Sequence, residues 1–131
     1  MSEHNDKFER KTFEKDDTIF EEGQPGNAAY LVVSGKVDIG LGLKGEAPRV
    51  LASVGKGKVI GEMALFDKHP RMASAVATEK TEAIRISRDE FRGRMKMMDP
   101  VMRSILKLMV KRTRELSEQV AELKRTDWHS N

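Results

Sequence analysis

A short stretch in the middle of the sequence carries side chains suited to a small anion that bears a sugar. It reads GEMALF over residues 61–66 and PRMAS over residues 70–74. The guanidinium of Arg71 can donate two parallel hydrogen bonds to a phosphate and keeps its charge at any working pH. That phosphate would repel Glu62, so the natural partners of Glu62 are hydroxyl donors such as a ribose 2′-OH. Gly61 allows a ligand to approach the backbone closely.

The same stretch predicts one short helical turn, from Glu62 to about Phe66. Such a turn is too short to be stabilised by helix propensity alone. Its first N–H groups and the helix dipole favour an anion. The alternative is that Glu62 and Arg71 form an ordinary surface ion pair. The residue types alone leave both interpretations open.

The composition argues against a catalytic centre. The chain has 131 residues, enough for one domain with a buried core. It has no cysteine, which excludes a thiol nucleophile and a Cys-ligated metal. The three histidines, His4, His69 and His129, lie far apart in the sequence. We therefore expect no metal site and no enzyme activity, because no nucleophile–base pair is evident either.

The charge pattern and the N-terminus bear on partners and location. The 24 Lys and Arg and 21 Asp and Glu give a net charge of +3. After residue 88 the bases alternate with acids along a helix, the pattern of a solvated face, so this chain alone is not expected to bind nucleic acid. Its apolar runs are too short to span a membrane, and the polar N-terminus is not a signal peptide. We expect a cytoplasmic protein.

Residues 11–87 alternate β-prone runs with turn residues. The predicted strands are 18–20, 29–33, 37–43, 49–54, 71–78 and 82–87. Turns at intervals of about 8–12 residues favour a sandwich, barrel or jelly roll over βαβ units. Residues 1–10 are predicted to be a polar arm.

Residues 88–125 are predicted to form C-terminal helices. Ser87 suits the N-cap of a short helix, and Asp99 with Pro100 suits the start of a longer one that reaches about Lys124. Apolar residues recur every seven positions at Met102, Met109, Leu116 and Leu123. This stripe either packs on the β domain or, beyond about Arg112, pairs with the same helix of a second copy.

The residues around Gly61 and Arg71 resemble a known motif. GEMALF followed by PRMAS resembles the phosphate-binding cassette of the cyclic nucleotide-binding domain family. The upstream stretch DDTIFEEGQPGNAAYLVVSGKVDIG is similar as well, and its matching residues are Gly23, Gly26, Tyr30, Gly35 and Val37. The resemblance covers about residues 11–125. It implies an α+β fold: an antiparallel β roll, or jelly roll, with a short phosphate-binding helix and C-terminal helices.

The resemblance also implies a domain organisation and roles for individual residues. One domain would span residues 1–131, with the roll over 11–87. We call residues 60–74 the cassette segment. Glu62 would accept from the ribose 2′-OH, and Arg71 would pair with the cyclic phosphate. The other positions expected around the ligand are Gly61, Met63, Ala64, Met72, Ala73 and, against the purine, Ser117. Arg112 and Thr113 are alternatives to Ser117, and Trp128 is an alternative cover for the base.

Departures from the family pattern refine these expectations. Ile60 stands where many members have an aromatic residue. Met72 stands where cyclic-GMP-selective members often have Thr, and a thioether is only a weak acceptor, so cyclic AMP should be preferred over cyclic GMP. The chain ends at Asn131 without a helix-turn-helix. We expect a free-standing sensor, with no cofactor, that signals to a partner protein through its C-terminal helices. The alternative is an interaction or dimerisation protein with a weak or unused pocket.

Overall fold

Two four-stranded antiparallel sheets make up the β part of the protein. The computed structural model describes residues 8–129, apart from the side chains of residues 117, 121 and 124–129. The strands are β1 (Glu9–Phe13), β2 (Thr18–Phe20), β3 (Ala28–Ser34), β4 (Lys36–Leu41), β5 (Arg49–Gly55), β6 (Val59–Ile60), β7 (Ser74–Ala77) and β8 (Thr81–Ser87). The order is β1-β8-β3-β6 in one sheet and β2-β7-β4-β5 in the other.

The strand pairing identifies the fold. β1 pairs with β8, β2 with β7, β3 with β6 and β4 with β5, all antiparallel. The chain is therefore a long hairpin wound across two sheets, which is the jelly-roll arrangement. The predicted antiparallel β roll of an α+β protein is confirmed.

Side chains from both sheets meet in one core. Phe20, Val32, Val37, Ile60 and Ala75 form a buried cluster. Burying a side chain the size of Val or Ile contributes about 1.5–3 kcal/mol to stability. The core positions the cassette segment, because the buried Ile60 ends β6 immediately before Gly61.

The structure corrects the N-terminal boundary and adds two strands, β1 and β6. The polar arm predicted over residues 1–10 is wrong at its end, since β1 begins at Glu9. β1 is recruited by pairing with β8 and shows no apolar alternation; ion pairs join Arg10 to Glu82 at 3.2 Å and Glu9 to Arg85 at 3.7 Å. The two-residue strand β6 was not predicted, because so short a run carries no period.

The strand predicted over residues 71–78 begins later than expected. β7 starts at Ser74, and Arg71 lies in the preceding loop. That loop is held by the turn at residues 23–26, since Pro25 forms an isolated antiparallel bridge with Pro70. Proline cannot donate to a ladder, which explains why a regular strand does not start here.

Two helices follow the roll, and both predicted N-caps are confirmed. α1 spans Arg88–Lys96, and α2 spans Pro100–His129. The hydroxyl of Ser87 accepts from the Glu90 N–H at 3.1 Å. The carboxylate of Asp99 accepts from the Val101 N–H at 2.8 Å. Within the described residues neither helix has a stretch apolar enough to cross a membrane.

The contacts within the chain define two compact units, one up to Arg92 and one from Gly93 onward. In the second unit the guanidinium of Arg103 donates to the carbonyls of Met95 at 3.3 Å and Lys96 at 3.2 Å. These bonds satisfy the end of α1 and fix the short connection to α2.

Candidate functional site

The backbone of Arg71 is fixed by the turn that precedes β3. Its N–H donates to the carbonyl of Gln24 at 2.8 Å, and its own carbonyl accepts from the N–H of Gly23 at 2.8 Å. This pairing continues the bridge between Pro25 and Pro70. The loop therefore enters the roll at one defined place and directs Arg71 inward.

The guanidinium of Arg71 lies between the start of β3 and Gly61, the residue after β6. Its Nη2 donates to the carbonyl of Ala28 at 2.7 Å, and its Nη1 lies 3.4 Å from the carbonyl of Gly61. The guanidinium carbon lies 4.0 Å from the centre of the Phe20 ring. Its Nε is buried and has no hydrogen-bond partner among the described residues. One good hydrogen bond and one long one leave much of the fork's donor capacity unused.

Two glycines make room for this guanidinium. A Cβ on Gly26 would lie 2.8 Å from the Nε of Arg71. A Cβ on Gly61 would overlap the Nη1 of Arg71 and lie 3.2 Å from the ring of Phe20. Gly61 also has a φ of +69°, in the left-handed region that favours glycine. A larger residue at either position would displace Arg71.

The surroundings of Arg71 favour an anion. Burial lowers the pKa of the Arg71 guanidinium below its ordinary value; Tyr30 opposes this, and the positive charges of Arg85 and Arg88 lower it further. No carboxylate lies within 4 Å of it in the part of the chain that the structure describes. The surface ion pair with Glu62 is therefore not formed. An added negative charge would relieve the unfavourable burial of this cation.

Glu62 opens the short helix that sequence predicted. The helix is a single 3-10 turn, Glu62–Leu65, and Gly61 is its N-cap. It is closed by a hydrogen bond of 3.1 Å from the Ala64 N–H to the Gly61 carbonyl. The carboxylate of Glu62 is exposed and makes no hydrogen bond to any group that the structure describes, so it is available to accept from a ligand hydroxyl.

The remaining predicted residues differ in accessibility. Met63 and Ala73 are half-buried, whereas Ala64 is buried. Met72 is 81% exposed and directly follows Arg71. Both backbone groups of Ala64 already form hydrogen bonds. Its N–H donates to the Gly61 carbonyl at 3.1 Å, and its carbonyl accepts from Arg88 at 2.7 Å.

The residues predicted to meet the base all lie in α2. Arg112 and Thr113 are exposed, and the Thr113 hydroxyl donates to the carbonyl of Met109 at 2.9 Å. The side chains of Ser117 and Trp128 lie outside those that the structure describes.

Sequence reasoning missed three contributors to the site. Phe20 supports the Arg71 guanidinium, and Ala28 supplies a carbonyl to it. Arg88 donates to carbonyls of the cassette segment and of Gly26. Phe20 and Ala28 are ordinary strand residues that carry no signal in the sequence. For Arg88 the one available signal was its place at the start of a predicted helix, directly after the N-cap Ser87.

A comparison with protein families identifies the family of this chain. Residues 10–97 match the cyclic nucleotide-binding domain. The chain belongs to the cyclic nucleotide-binding domain family. The match includes both glycines that border Arg71 and the whole cassette segment.

Named relatives of this cyclic nucleotide-binding domain include regulators. It is 37% identical over 108 residues to the cyclic AMP receptor protein of Thermus thermophilus, covering 82% of this chain and 50% of that protein. It is 37% identical over 86 residues to a cAMP-dependent protein kinase regulatory subunit of Aspergillus fumigatus, covering 66% of this chain and 20% of that subunit. The chain thus spans about half or less of these relatives.

A solved structure with the same fold belongs to an enzyme. The half-site-occupied form of the EAL enzyme Bd1971 matches with a TM-score of 0.74 and 31% identity, covering 84% of this chain and 98% of that chain. Bd1971 has also been solved in cAMP-bound and cGMP-bound forms.

Proposed function

We propose that the protein is a cyclic nucleotide sensor without catalytic activity of its own, acting in the cytoplasm. Arg71 pairs with the cyclic phosphate, and Glu62 accepts from the ribose 2′-OH. Gly61, Met63, Ala64, Met72 and Ala73 surround the phosphate and sugar, Met72 and Ala73 through their backbone N–H groups, and Ser117 is assigned to the purine. The ligand is cyclic AMP in preference to cyclic GMP.

The half-buried guanidinium of Arg71 carries this proposal. Among the residues that the structure describes, its Nε has no hydrogen-bond partner and no carboxylate lies within 4 Å of the guanidinium; its Nη1 makes one long contact, and it lies against Gly26 and Gly61. A phosphate supplies both the missing acceptors and the missing negative charge. Glu62 follows Gly61 directly, so a sugar attached to that phosphate has a carboxylate in the same segment.

The preference for cyclic AMP rests on Met72. Its exposed side chain follows Arg71, where it can approach the base of a bound nucleotide. A thioether has no hydroxyl to donate or accept strongly, so it gives no added hydrogen bond to guanine.

Signalling is proposed to pass through the C-terminal helices to a partner protein. A ligand shifts the arrangement of these helices only to the extent that it binds one arrangement more tightly than another.

Calorimetric titration with both nucleotides tests the proposed function. We expect cyclic AMP to bind at least about tenfold more tightly than cyclic GMP, a difference of about 1.4 kcal/mol. 5′-AMP is the control, since it keeps the base and ribose but lacks the cyclic phosphate, and it should bind more weakly than either. Equal affinity for the two cyclic nucleotides would refute the preference, and no heat with either would refute the function.

A second candidate, an interaction or dimerisation protein with an unused pocket, is favoured by one observation. The apolar stripe of α2 is exposed along its length: Met102 is 57% exposed, Met109 55%, Leu116 61% and Leu123 65%. A repeat of seven residues suits a pair of helices. Dimerisation through this stripe is compatible with the sensor as well, so the titration above separates the two functions.

Sedimentation equilibrium tests the helix pair. We expect the wild-type chain of 14.8 kDa to sediment as a dimer and the double variant Leu116→Asp, Leu123→Asp to sediment as a monomer, because two carboxylates would be buried in the seam. Lys111→Asp, an exposed change on another face of α2, is the control and should remain dimeric. A monomeric wild type would exclude the helix pair.

A further inference from the structure

Arg88 is the first residue of α1, and its guanidinium binds only backbone carbonyls among the contacts that the structure gives it. Its Nε donates to the carbonyl of Ala64 at 2.7 Å. Its Nη2 donates to the carbonyl of Gly26 at 2.6 Å and to that of Asp67 at 2.8 Å. All three are short, well-formed bonds, and those to charged donors are the stronger class.

These acceptors belong to two separate parts of the candidate site. Ala64 and Asp67 lie at the end of the 3-10 turn that begins after Gly61, where the last carbonyls of a helix lack partners and favour a cation. Gly26 belongs to the turn whose backbone lies against the Nε of Arg71. One guanidinium therefore ties the cassette segment to the opposite wall of the Arg71 site.

The backbone of Arg88 strengthens the same link. Its N–H donates to the carbonyl of Asn27 at 2.7 Å, directly beside Gly26. Arg88 therefore holds residues 26–27 through both its main chain and its side chain. A planar fork can reach three carbonyls in fixed directions, which the single ammonium of a lysine cannot reproduce.

We propose that Arg88 is a positioning residue that holds the backbone of the cassette segment against Gly26 in the shape that accepts the ligand. It acts without touching the nucleotide. The affinity part of this inference rests on the proposed function, whereas the bracing of the backbone can be measured without a ligand.

Amide hydrogen exchange in the ligand-free protein tests the bracing. In Arg88→Met we expect the N–H groups of Phe66 and Asp67, which both bond to the Met63 carbonyl, to exchange at least about tenfold faster. The N–H of Ala77 in β7, which donates to the carbonyl of Asp17 at 2.9 Å, is the internal reference and should not change. Arg92→Met, an exposed arginine of the same helix, is the matched control and should alter neither.

Calorimetry on the same variants tests the consequence for binding. Arg88→Met should weaken cyclic AMP by about tenfold, the scale of one hydrogen bond to a charged group. Arg88→Lys keeps the charge and should fall between wild type and Arg88→Met in both measurements. It also replaces Arg88→Met if that variant does not fold. Arg92→Met should bind as the wild type does.

Three outcomes would overturn the inference. Unchanged exchange at Phe66 and Asp67 would show that Arg88 does not hold the segment. If amide exchange at Ala77 became faster by the same factor, Arg88 would contribute only to the general stability of the fold. Faster local exchange with unchanged affinity would show that the braced shape does not matter to the ligand. A wild type that binds neither nucleotide would refute the proposed function, and the exchange data would still decide whether Arg88 braces the segment.

Discussion

Arg71→Leu should weaken the binding of cyclic AMP by about 30-fold to 1,000-fold, equivalent to about 2–4 kcal/mol. The phosphate would lose a charged donor with unused capacity, because the Nε of Arg71 is buried with no partner in the described part of the chain and its Nη1 lies 3.4 Å from the Gly61 carbonyl. Isothermal calorimetry at fixed ionic strength measures the loss.

Arg71→Leu should reduce the stability of the fold less than it reduces the affinity for the ligand. Leucine keeps an apolar contact with Phe20 and removes a cation whose burial is unfavourable, as its lowered pKa indicates. The cost is the hydrogen bond of 2.7 Å to the Ala28 carbonyl. We therefore expect the denaturation midpoint to stay close to that of the wild type. The variant is then folded during the titration, and the loss of binding cannot be attributed to unfolding.

Two further variants separate the contributions that the charge of Arg71, its planar guanidinium and the sugar contact of Glu62 make to the affinity. Arg71→Lys keeps the charge but loses the planar fork, so its affinity should lie between those of wild type and Arg71→Leu. Glu62→Gln should cost less than Arg71→Leu, because the amide oxygen still accepts from a ribose hydroxyl. Unchanged affinity in Arg71→Leu would remove Arg71 from the site.

Local sequence chemistry predicted the features that depend on neighbours in the chain. The caps at Ser87 and Asp99 require only a side-chain oxygen followed by a helix, and both form as expected. The β-prone run that begins at Val37 predicted β4, and the residues after Gly61 predicted the short helical turn. Each of these features is determined by a few neighbouring residues, so it can be predicted without knowledge of the tertiary structure.

The rest of the fold and site depends on distant parts of the chain. β1 has no apolar alternation and exists because β8 offers it a partner 72 residues away, as the bond from Arg10 to Glu82 shows. The sequence marked Gly26 as a match to the family pattern, yet the guanidinium of Arg71 occupies the space where a Cβ of residue 26 would lie. Arg88 gathers carbonyls from residues 26, 64 and 67. Residues this far apart in the chain cannot be recognised as neighbours from any short segment of the sequence.

The glycines at positions 26 and 61 should prove as important to the ligand as Arg71 itself. Gly61→Ala places a Cβ where the Nη1 of Arg71 lies and also strains a residue whose φ is +69°. Gly26→Ala places a Cβ 2.8 Å from the Nε of Arg71 and carries no positive-φ strain. In both variants the guanidinium must move, and a displacement of about 1 Å can cost as much as a hundredfold where geometry matters. We expect cyclic AMP affinity to fall at least about tenfold in each.

Gly57→Ala is the control that separates backbone strain from displacement of Arg71. Gly57 has a φ of +87° and nothing within 4 Å of its missing Cβ. Alanine there should destabilise the fold by about 1–2 kcal/mol, the cost of a left-handed non-glycine residue, and leave the affinity unchanged. Calorimetry and thermal denaturation of all three variants then give a distinct pattern. Gly57→Ala loses stability only, Gly26→Ala loses mainly affinity, and Gly61→Ala loses both. Wild-type affinity in Gly26→Ala and Gly61→Ala would mean that the ligand does not depend on where these glycines hold Arg71.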